Sequence, residues 1–151
     1  MKYSNWTKAE LIKQLEVLEV SEKLIKAPID VVNYIRAAKD IIKDANKEHF
    51  IVLLLNSKNK IVHVDTVSVG GLSSTAVHPR EVFKLAISHS AAGIIVLHNH
   101  PSGDCSPSTN DDDITESLVA CGKVLNIPVL DHLIIDMSGI GFYSYSDKGR
   151  L

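Results

Sequence analysis

The sequence has few of the features that mark secreted, disulfide-linked or membrane-spanning proteins. Its two cysteines, Cys105 and Cys121, are too far apart for a Cys-x-x-Cys motif, which argues against a disulfide framework and against a thiolate metal site. The longest apolar runs, at 50–55 and 91–97, fall far short of the roughly 20 residues that a transmembrane helix needs. No apolar signal core follows Met1. We therefore expect a cytoplasmic globular protein that does not contact a membrane.

A surplus of positive charge is also missing. The 151 residues include 16 Lys+Arg and 18 Asp+Glu, which gives a formal net charge of -2. Between Leu85 and Ser146 the chain has seven acidic residues and a single basic one, Lys123. A nucleic-acid phosphate backbone would be repelled along this stretch, so nucleic-acid binding is not favoured.

Glycine is absent from the first 69 residues, where the pattern is largely helical. Thr7-Lys8-Ala9-Glu10 is a capping box, which predicts a helix start. The apolar residues that follow at helical spacing are Leu11, Leu15, Leu18 and Ile25. We expect residues 1–26 to form an N-terminal helical extension that either packs on its own domain or joins two copies as a homodimer. A second helix is predicted from about Asp30 to Ile42.

Residues 27–151 are predicted to form one mixed α/β domain of the α+β kind, with helices flanking a mostly antiparallel sheet. The continuous apolar run Phe50–Leu55 is typical of a strand buried on both faces, and Ile61–Val67 alternates as an antiparallel partner strand should. The further predicted elements are a helix at Pro79–Ser90, a strand at Gly93–His98, a helix at Thr109–Leu125, and strands at Val129–Asp136 and Phe142–Tyr145.

The segment from His98 to Asp111 combines residue types that bind metal ions. Side chains two residues apart in a strand point the same way, so His98 and His100 can direct both imidazoles at one point. Two histidines and a carboxylate are a common ligand set for a catalytic zinc ion, and the next helix would supply the carboxylate. Successive helical positions diverge by about 100°, so only one of Asp111, Asp112 and Asp113 should face the histidines. We select Asp111, which lies on the predicted buried side of that helix.

Each part of this pattern also has an ordinary structural explanation. Ser108-x-x-Asp111 is an acidic capping box that needs no metal ion. A lone histidine at the end of a strand is more often packed or solvated than a ligand. The conjunction favours the metal site, because two histidines at strand spacing, a loop restricted by proline and glycine, and a carboxylate at a helix start all fall within 14 residues.

This spacing resembles the JAMM signature of MPN-domain metalloenzymes. The matching positions are His98-x-His100, seven residues, Ser108, two residues and Asp111. The segments 77–81, 98–103 and 130–132 are also similar to the RadC branch of that superfamily, and the resemblance covers residues 30–149. It implies the MPN/JAB fold, which is similar to that of cytidine deaminases, with one Zn²⁺ per chain bound by the two histidines and Asp111.

The resemblance also implies two further site residues. In enzymes with this signature, an upstream glutamate exchanges protons with the nucleophilic water and a serine supports the oxyanion. These roles are carried over to Glu48, at the start of the first strand, and to Ser108. Glu81 is the rival proton-transfer residue, although the dipole of its Pro-initiated helix explains its position. His132, in a strand pattern beside Asp131, either borders the site or is a structural histidine, and the structural interpretation is preferred. Cys105 is interpreted as a loop residue.

The leading hypothesis is a zinc-dependent hydrolase of peptide or isopeptide bonds that acts on a protein or peptide substrate. RadC relatives have carried a DNA-repair label, so a metal-dependent nuclease or DNA-processing factor is the alternative, and a non-catalytic binding module is the third reading. Full-length RadC relatives carry an N-terminal helix-hairpin-helix module whose tight hairpins need glycine. Because residues 1–69 contain no glycine, the chain is expected to lack that module.

Overall fold

The computed structural model describes residues 6–13, 23–70 and 77–151 of the chain. Its sheet consists of β1 (Glu48–Leu55), β2 (Ile61–Gly70), β3 (Gly93–Asn99), β4 (Val129–Ile135) and β5 (Phe142–Ser144). The helices that flank the sheet are α1 (Pro28–Ala37), α2 (Pro79–Ser88) and α3 (Thr109–Leu125). Residues 8–13 are helical as well.

The five strands are arranged in the order β2-β1-β3-β4-β5. Neighbouring strands are antiparallel except for β3 and β4, which are parallel. A parallel pair needs a crossover connection, and α3 provides it between the end of β3 and the start of β4. The predicted α/β class, with a mostly antiparallel sheet flanked by helices, is therefore confirmed.

The sheet is covered on both faces, and the alternation of β1 shows how. Ile51 and Leu53 pack into a core that includes residues of α1, whereas Phe50 and Val52 pack into a core that includes residues of α2 and α3. Every residue of β1 after Glu48 is buried, as the apolar run predicts. On the central strand β3, the same alternation directs His98 toward the face covered by α2 and α3.

The first flanking helix is shorter than the sequence pattern predicts. It ends at Ala37 because Ala38 adopts φ -85° and ψ 75°, outside the helical region. Ile41 then closes a turn by donating its N–H to the carbonyl of Ala38 at 3.0 Å. Ile42 lies beyond the end of the helix but is still buried in the core on the α1 side of the sheet. Its apolar side chain therefore packs into the core from a turn and not from a helix face.

The predicted capping box near the N-terminus is present. Thr7 donates its N–H to Glu10 Oε2 at 2.7 Å, and Glu10 donates its N–H to Thr7 Oγ1 at 3.3 Å. Leu15 and Leu18 lie outside the described residues, so the role of residues 1–26 stays a prediction. Within the described ranges, no helix is both long and apolar enough to cross a lipid bilayer.

Candidate metal centre

Two imidazoles converge at the end of β3. His98 is in the strand and fully buried, and His100 follows it by two residues with 13% of its side chain exposed. Because side chains at this spacing share one face of a strand, the Nε2 atoms of the two rings come within 3.0 Å of each other. The more exposed ring of His100 lies on the solvent side of the pair.

The first turn of α3 brings a carboxylate to the same point. Ser108 caps the helix by accepting the N–H of Asp111 at 3.1 Å, and it donates its own N–H to Asp111 Oδ2 at 2.8 Å. Asp111 is only 2% exposed, which is unusual for a carboxylate in a helix start. Asp111 thus belongs to the predicted capping box and is also the predicted ligand.

The two rival acids of this turn lie elsewhere. Asp112 accepts the hydroxyl of Tyr145 at 2.7 Å and forms an ion pair with Arg150 at 2.9 Å. Asp113 is exposed. Among the three consecutive acids, the helical rotation directs only Asp111 at the histidines.

The contacts of the Asp111 carboxylate with the two rings are close to the donor spacing of a tetrahedral zinc site. Asp111 Oδ1 lies 3.2 Å from His98 Nε2, and Asp111 Oδ2 lies 3.2 Å from His100 Nε2. Ligand distances of about 2.0–2.1 Å at tetrahedral angles would put neighbouring donors about 3.3 Å apart. His98, His100 and Asp111 form a group that can hold a metal ion, with all three ligand atoms within 4.8 Å of one another. The donor set therefore fits Zn²⁺, and a carboxylate with two imidazoles is its ordinary chemistry.

The loop after β3 fixes the ring of His100. Its Nδ1 lies 2.6 Å from the carbonyl oxygen of Asp104, and because a carbonyl only accepts, this nitrogen must carry the proton. Nε2, the atom that faces Asp111, is therefore the ring nitrogen of His100 that is available to a metal ion. Gly103 makes this return of the chain feasible, since its φ of 82° is a conformation that other residues rarely adopt.

Charge around the site acts in the directions expected of a metal-binding cluster. Burial would raise the pKa of Asp111, but its hydrogen bonds with His100 and His98 outweigh that effect and hold the pKa well below its usual range. The Asp111 carboxylate in turn raises the pKa of His100, and the charge of Glu48 adds to this shift. Protons and cations therefore compete for the same ring nitrogen of His100.

Cys105 lies in the loop but has the properties of a packed thiol. Burial and the nearby acids Asp136 and Asp104 raise its pKa, which keeps the sulfur protonated. Its Sγ lies 4.0 Å from the carbonyl oxygen of Gly103, and the thiol is free. This environment agrees with its interpretation as a loop residue.

Glu48 is the first residue of β1, the strand beside β3. Phe50 is paired with His98, and Glu48, two residues before Phe50, lies on the same face of β1. Glu48 is half-buried. Glu81, in contrast, is exposed on the first turn of α2, with its carboxylate 3.7 Å from Arg80 Nε.

A further residue, His132, is fully buried next to this group, and sequence reasoning gave it as a structural histidine or as a neighbour of the site. Its Nε2 lies 2.9 Å from His98 Nδ1, and its ring is fully buried beside those of Phe50 and Tyr145. Burial lowers the pKa of His132 well below its ordinary value, so the ring is neutral. The signal was present in the segment 130–132, which resembles RadC proteins, but the contact depends on the pairing of β3 with β4.

Comparison with known proteins agrees with this geometry. Residues 25–150 match the family of RadC-like JAB domains. A UPF0758 protein of Caldanaerobacter subterraneus subsp. tengcongensis is 48% identical over 126 residues, which cover 83% of this chain and 52% of that protein. A UPF0758 protein of Bacillus cereus strain AH187 is 43% identical over 143 residues, which cover 94% of this chain and 61% of that protein. This chain thus spans little more than half the length of such relatives, and it belongs to the family of RadC-like JAB domains.

Proposed function

We propose that the protein is a zinc-dependent hydrolase that cleaves amide bonds in a peptide or isopeptide substrate. The observation that carries this proposal is the convergence of His98, His100 and Asp111, which supply three ligand atoms from one strand end and one helix start. Three protein ligands are typical of catalytic zinc sites, in which a further position is left for water or substrate. A bound zinc ion would polarise the substrate carbonyl and lower the pKa of water to about 7.

Glu48 is the residue we assign to proton transfer. Glu48 lies on the same face of β1 as Phe50, which is paired with the candidate ligand His98, so its side chain belongs to the sheet face that carries the ligands. The effect of its charge on His100 supports this proximity. Glu48 would take a proton from the attacking water and then deliver it to the leaving amine, acting as general base and then as general acid.

Ser108 is assigned to support of the oxyanion. Its Oγ accepts the N–H of Asp111, which leaves the hydroxyl proton free to be donated. The residue is exposed at the start of α3, next to the carboxylate ligand. A donor directed at the oxygen on which negative charge develops typically contributes about 3–4 kcal/mol to stabilisation of the transition state.

A peptide substrate suits this surface better than a nucleic acid. Asp104 and Asp113 lie within the loop and helix start that carry the ligands, and the only basic residue between Leu85 and Ser146 is Lys123. A polyphosphate chain would have to approach against this charge. A DNA-processing role is therefore the alternative that the experiment has to distinguish.

The test combines binding with turnover. The chain is purified, loaded with zinc, and offered a library of peptides and isopeptide-linked conjugates in parallel with branched and single-stranded DNA. We expect amide hydrolysis that a chelator abolishes and that zinc restores. Chelator-sensitive DNA cleavage that His98→Ala removes, without any peptide turnover, would overturn the proposal in favour of a nuclease.

Two glutamine variants separate the candidate proton-transfer residues. Glu48→Gln is expected to retain zinc and to lose about 10²–10⁴-fold in turnover, the usual contribution of general acid–base catalysis. Glu81→Gln is the matched control, because Glu81 lies on the exposed first turn of α2 beside Arg80. If Glu81→Gln alone lost turnover while zinc stayed bound, the assignment of Glu48 would be wrong.

A further inference from the structure

His132 occupies a position that couples the candidate ligand His98 to helix α3. The residue is fully buried on β4, with its ring stacked on Tyr145 at a centroid distance of 4.9 Å. Both of its ring nitrogens are engaged, Nε2 with His98 Nδ1 at 2.9 Å and Nδ1 with Thr115 Oγ1 at 2.6 Å. Since the ring has no contact with water, these two partners alone determine which nitrogen carries its proton.

The direction of each of these hydrogen bonds follows from one group that can only accept, the backbone carbonyl of Asp111. The Thr115 hydroxyl lies 2.6 Å from the backbone carbonyl oxygen of Asp111, which can only accept, so the hydroxyl proton is donated there. Thr115 Oγ1 must then accept from His132, which puts the proton of His132 on Nδ1. The remaining nitrogen of His132 has a lone pair and accepts the Nδ1–H of His98. Nε2 is thereby the nitrogen of His98 that is available to a metal ion, and it lies 3.2 Å from Asp111 Oδ1.

Three hydrogen bonds and one contact close a ring beside the candidate metal centre. The hydrogen bonds run from the backbone of Asp111 through Thr115 and His132 to His98, and His98 Nε2 faces the Asp111 carboxylate. The partly exposed ligand His100 obtains the same tautomer from a single carbonyl, that of Asp104. His98 lies within the sheet with no exposed surface, and a second imidazole serves as its acceptor instead.

We propose that His132 is a positioning residue of the metal centre, which, together with Thr115, holds His98 in the tautomer that presents Nε2 to a metal ion. This inference rests on the proposed metal centre. A histidine buried only for packing would be interchangeable with an apolar ring or chain of similar size, whereas a positioning residue needs its acceptor atom. Hydrogen-bonded neighbours of metal ligands typically contribute about 10–100-fold to metal affinity.

The first test changes Thr115 in the hydrogen-bond relay formed by the Asp111 carbonyl, Thr115, His132 and His98. Thr115 contacts the Asp111 backbone and not the ligand atoms. Thr115→Val keeps the shape of the side chain but removes the acceptor of His132 Nδ1–H, whereas Thr115→Ser keeps the hydroxyl. Zinc affinity is measured by competition with a chromophoric chelator. We expect Thr115→Val to bind zinc about 10–100-fold more weakly and Thr115→Ser to stay close to the unchanged chain.

Ser144→Ala is the matched control for general loss of stability. Ser144 is buried and donates its hydroxyl to Asp131 Oδ2 at 2.6 Å, a bond as short and as enclosed as that of Thr115 but outside the relay. The control variant should unfold at a lower temperature and keep its zinc affinity. If Ser144→Ala and Thr115→Val lost affinity equally, the effect would be one of stability, and the inference would be refuted.

A pair of substitutions at His132 tests the acceptor itself. In His132→Gln, the side-chain carbonyl can accept the hydrogen bond of His98 near the position of Nε2. In His132→Leu, the side chain fills a similar volume but cannot accept a hydrogen bond. We expect the glutamine variant to bind zinc more tightly than the leucine variant, and the cobalt-substituted protein to show a tetrahedral absorption band that weakens in the leucine variant. Equal affinities and spectra in the two variants would contradict the acceptor role.

Nitrogen-15 spectra of the histidine rings report the tautomers without reference to activity. In both zinc-free and zinc-loaded protein, the proton of His132 is expected on Nδ1. A proton found on Nε2 would overturn the inference even if zinc binds. If instead the unchanged chain bound no zinc while His132 had the expected tautomer, the proposed metal centre would fail and the relay would be a structural feature, so the two failures are distinguishable.

Discussion

Zinc should raise the temperature at which the protein unfolds, and the size of the rise can be estimated. The three ligand atoms already lie within 4.8 Å of one another, so the site needs little rearrangement to bind an ion. At a free zinc concentration about 100 times the dissociation constant, binding to the native state alone adds about 2.7 kcal/mol to the free energy of unfolding. For a chain of this size each kcal/mol corresponds to about 2–4 °C, so the expected rise is about 5–11 °C.

The assay is thermal unfolding followed by circular dichroism, with each variant measured after chelation and again with zinc. His98→Ala removes one of the three ligands and should lose most of the zinc-dependent rise, whatever its own unfolding temperature. The control is His89→Ala, because His63 and His89 stack outside this group with centroids 4.0 Å apart and offer a second pair of imidazoles. A rise that survives His98→Ala but disappears in His89→Ala would show that zinc binds elsewhere and would refute the assignment.

Three further outcomes can be checked. Asp111 raises the pKa of His100 above its ordinary 6.5, so zinc affinity should begin to decline at a higher pH than it would for an isolated imidazole. A chelator competition titration at decreasing pH measures this decline, and a pH-independent affinity would contradict the expectation. Leu118 is fully buried on α3, so Leu118→Ala should lower the free energy of unfolding, measured in urea, by about 2–5 kcal/mol. The folded variant should still bind zinc, and loss of zinc from it would show that the core and the site are coupled. If the N-terminal extension forms a homodimer, sedimentation of the chain without residues 1–26 should give a monomer, and an unchanged sedimentation coefficient would exclude that role.

The strands and the long helix could be predicted because their signals are local. The bounds of α3 agree with the pattern at Thr109–Leu125, and the apolar run that begins at Phe50 predicts a strand covered on both faces. The end of α1 could not be read from hydrophobic spacing, since Ile42 is buried from a turn. An apolar residue has the same hydrophobicity in a turn as on a helix face, so only the backbone conformation of Ala38 separates the two cases.

The ligands of the candidate site were also accessible to sequence reasoning, whereas its supporting residues were not. His98, His100 and Asp111 are close in the chain, and strand alternation and helical rotation are enough to bring them together. The contact of His98 with His132 spans 34 residues and depends on the parallel register of β3 and β4. No spacing rule gives that register, because the two strands are joined by a long crossover through α3 and not by a tight turn.

The crossover unit β3-α3-β4 has a consequence for how such a protein can change over generations. All the residues of the closed ring, together with His100, come from this one continuous stretch of chain, whereas Glu48 comes from β1. Under the proposed function, metal retention and proton transfer would therefore depend on separate segments. Loss of the glutamate in β1 by a single substitution would turn a hydrolase into a metal-stabilised binding domain with its fold intact. The reverse substitution would restore hydrolysis in a relative that lacks it.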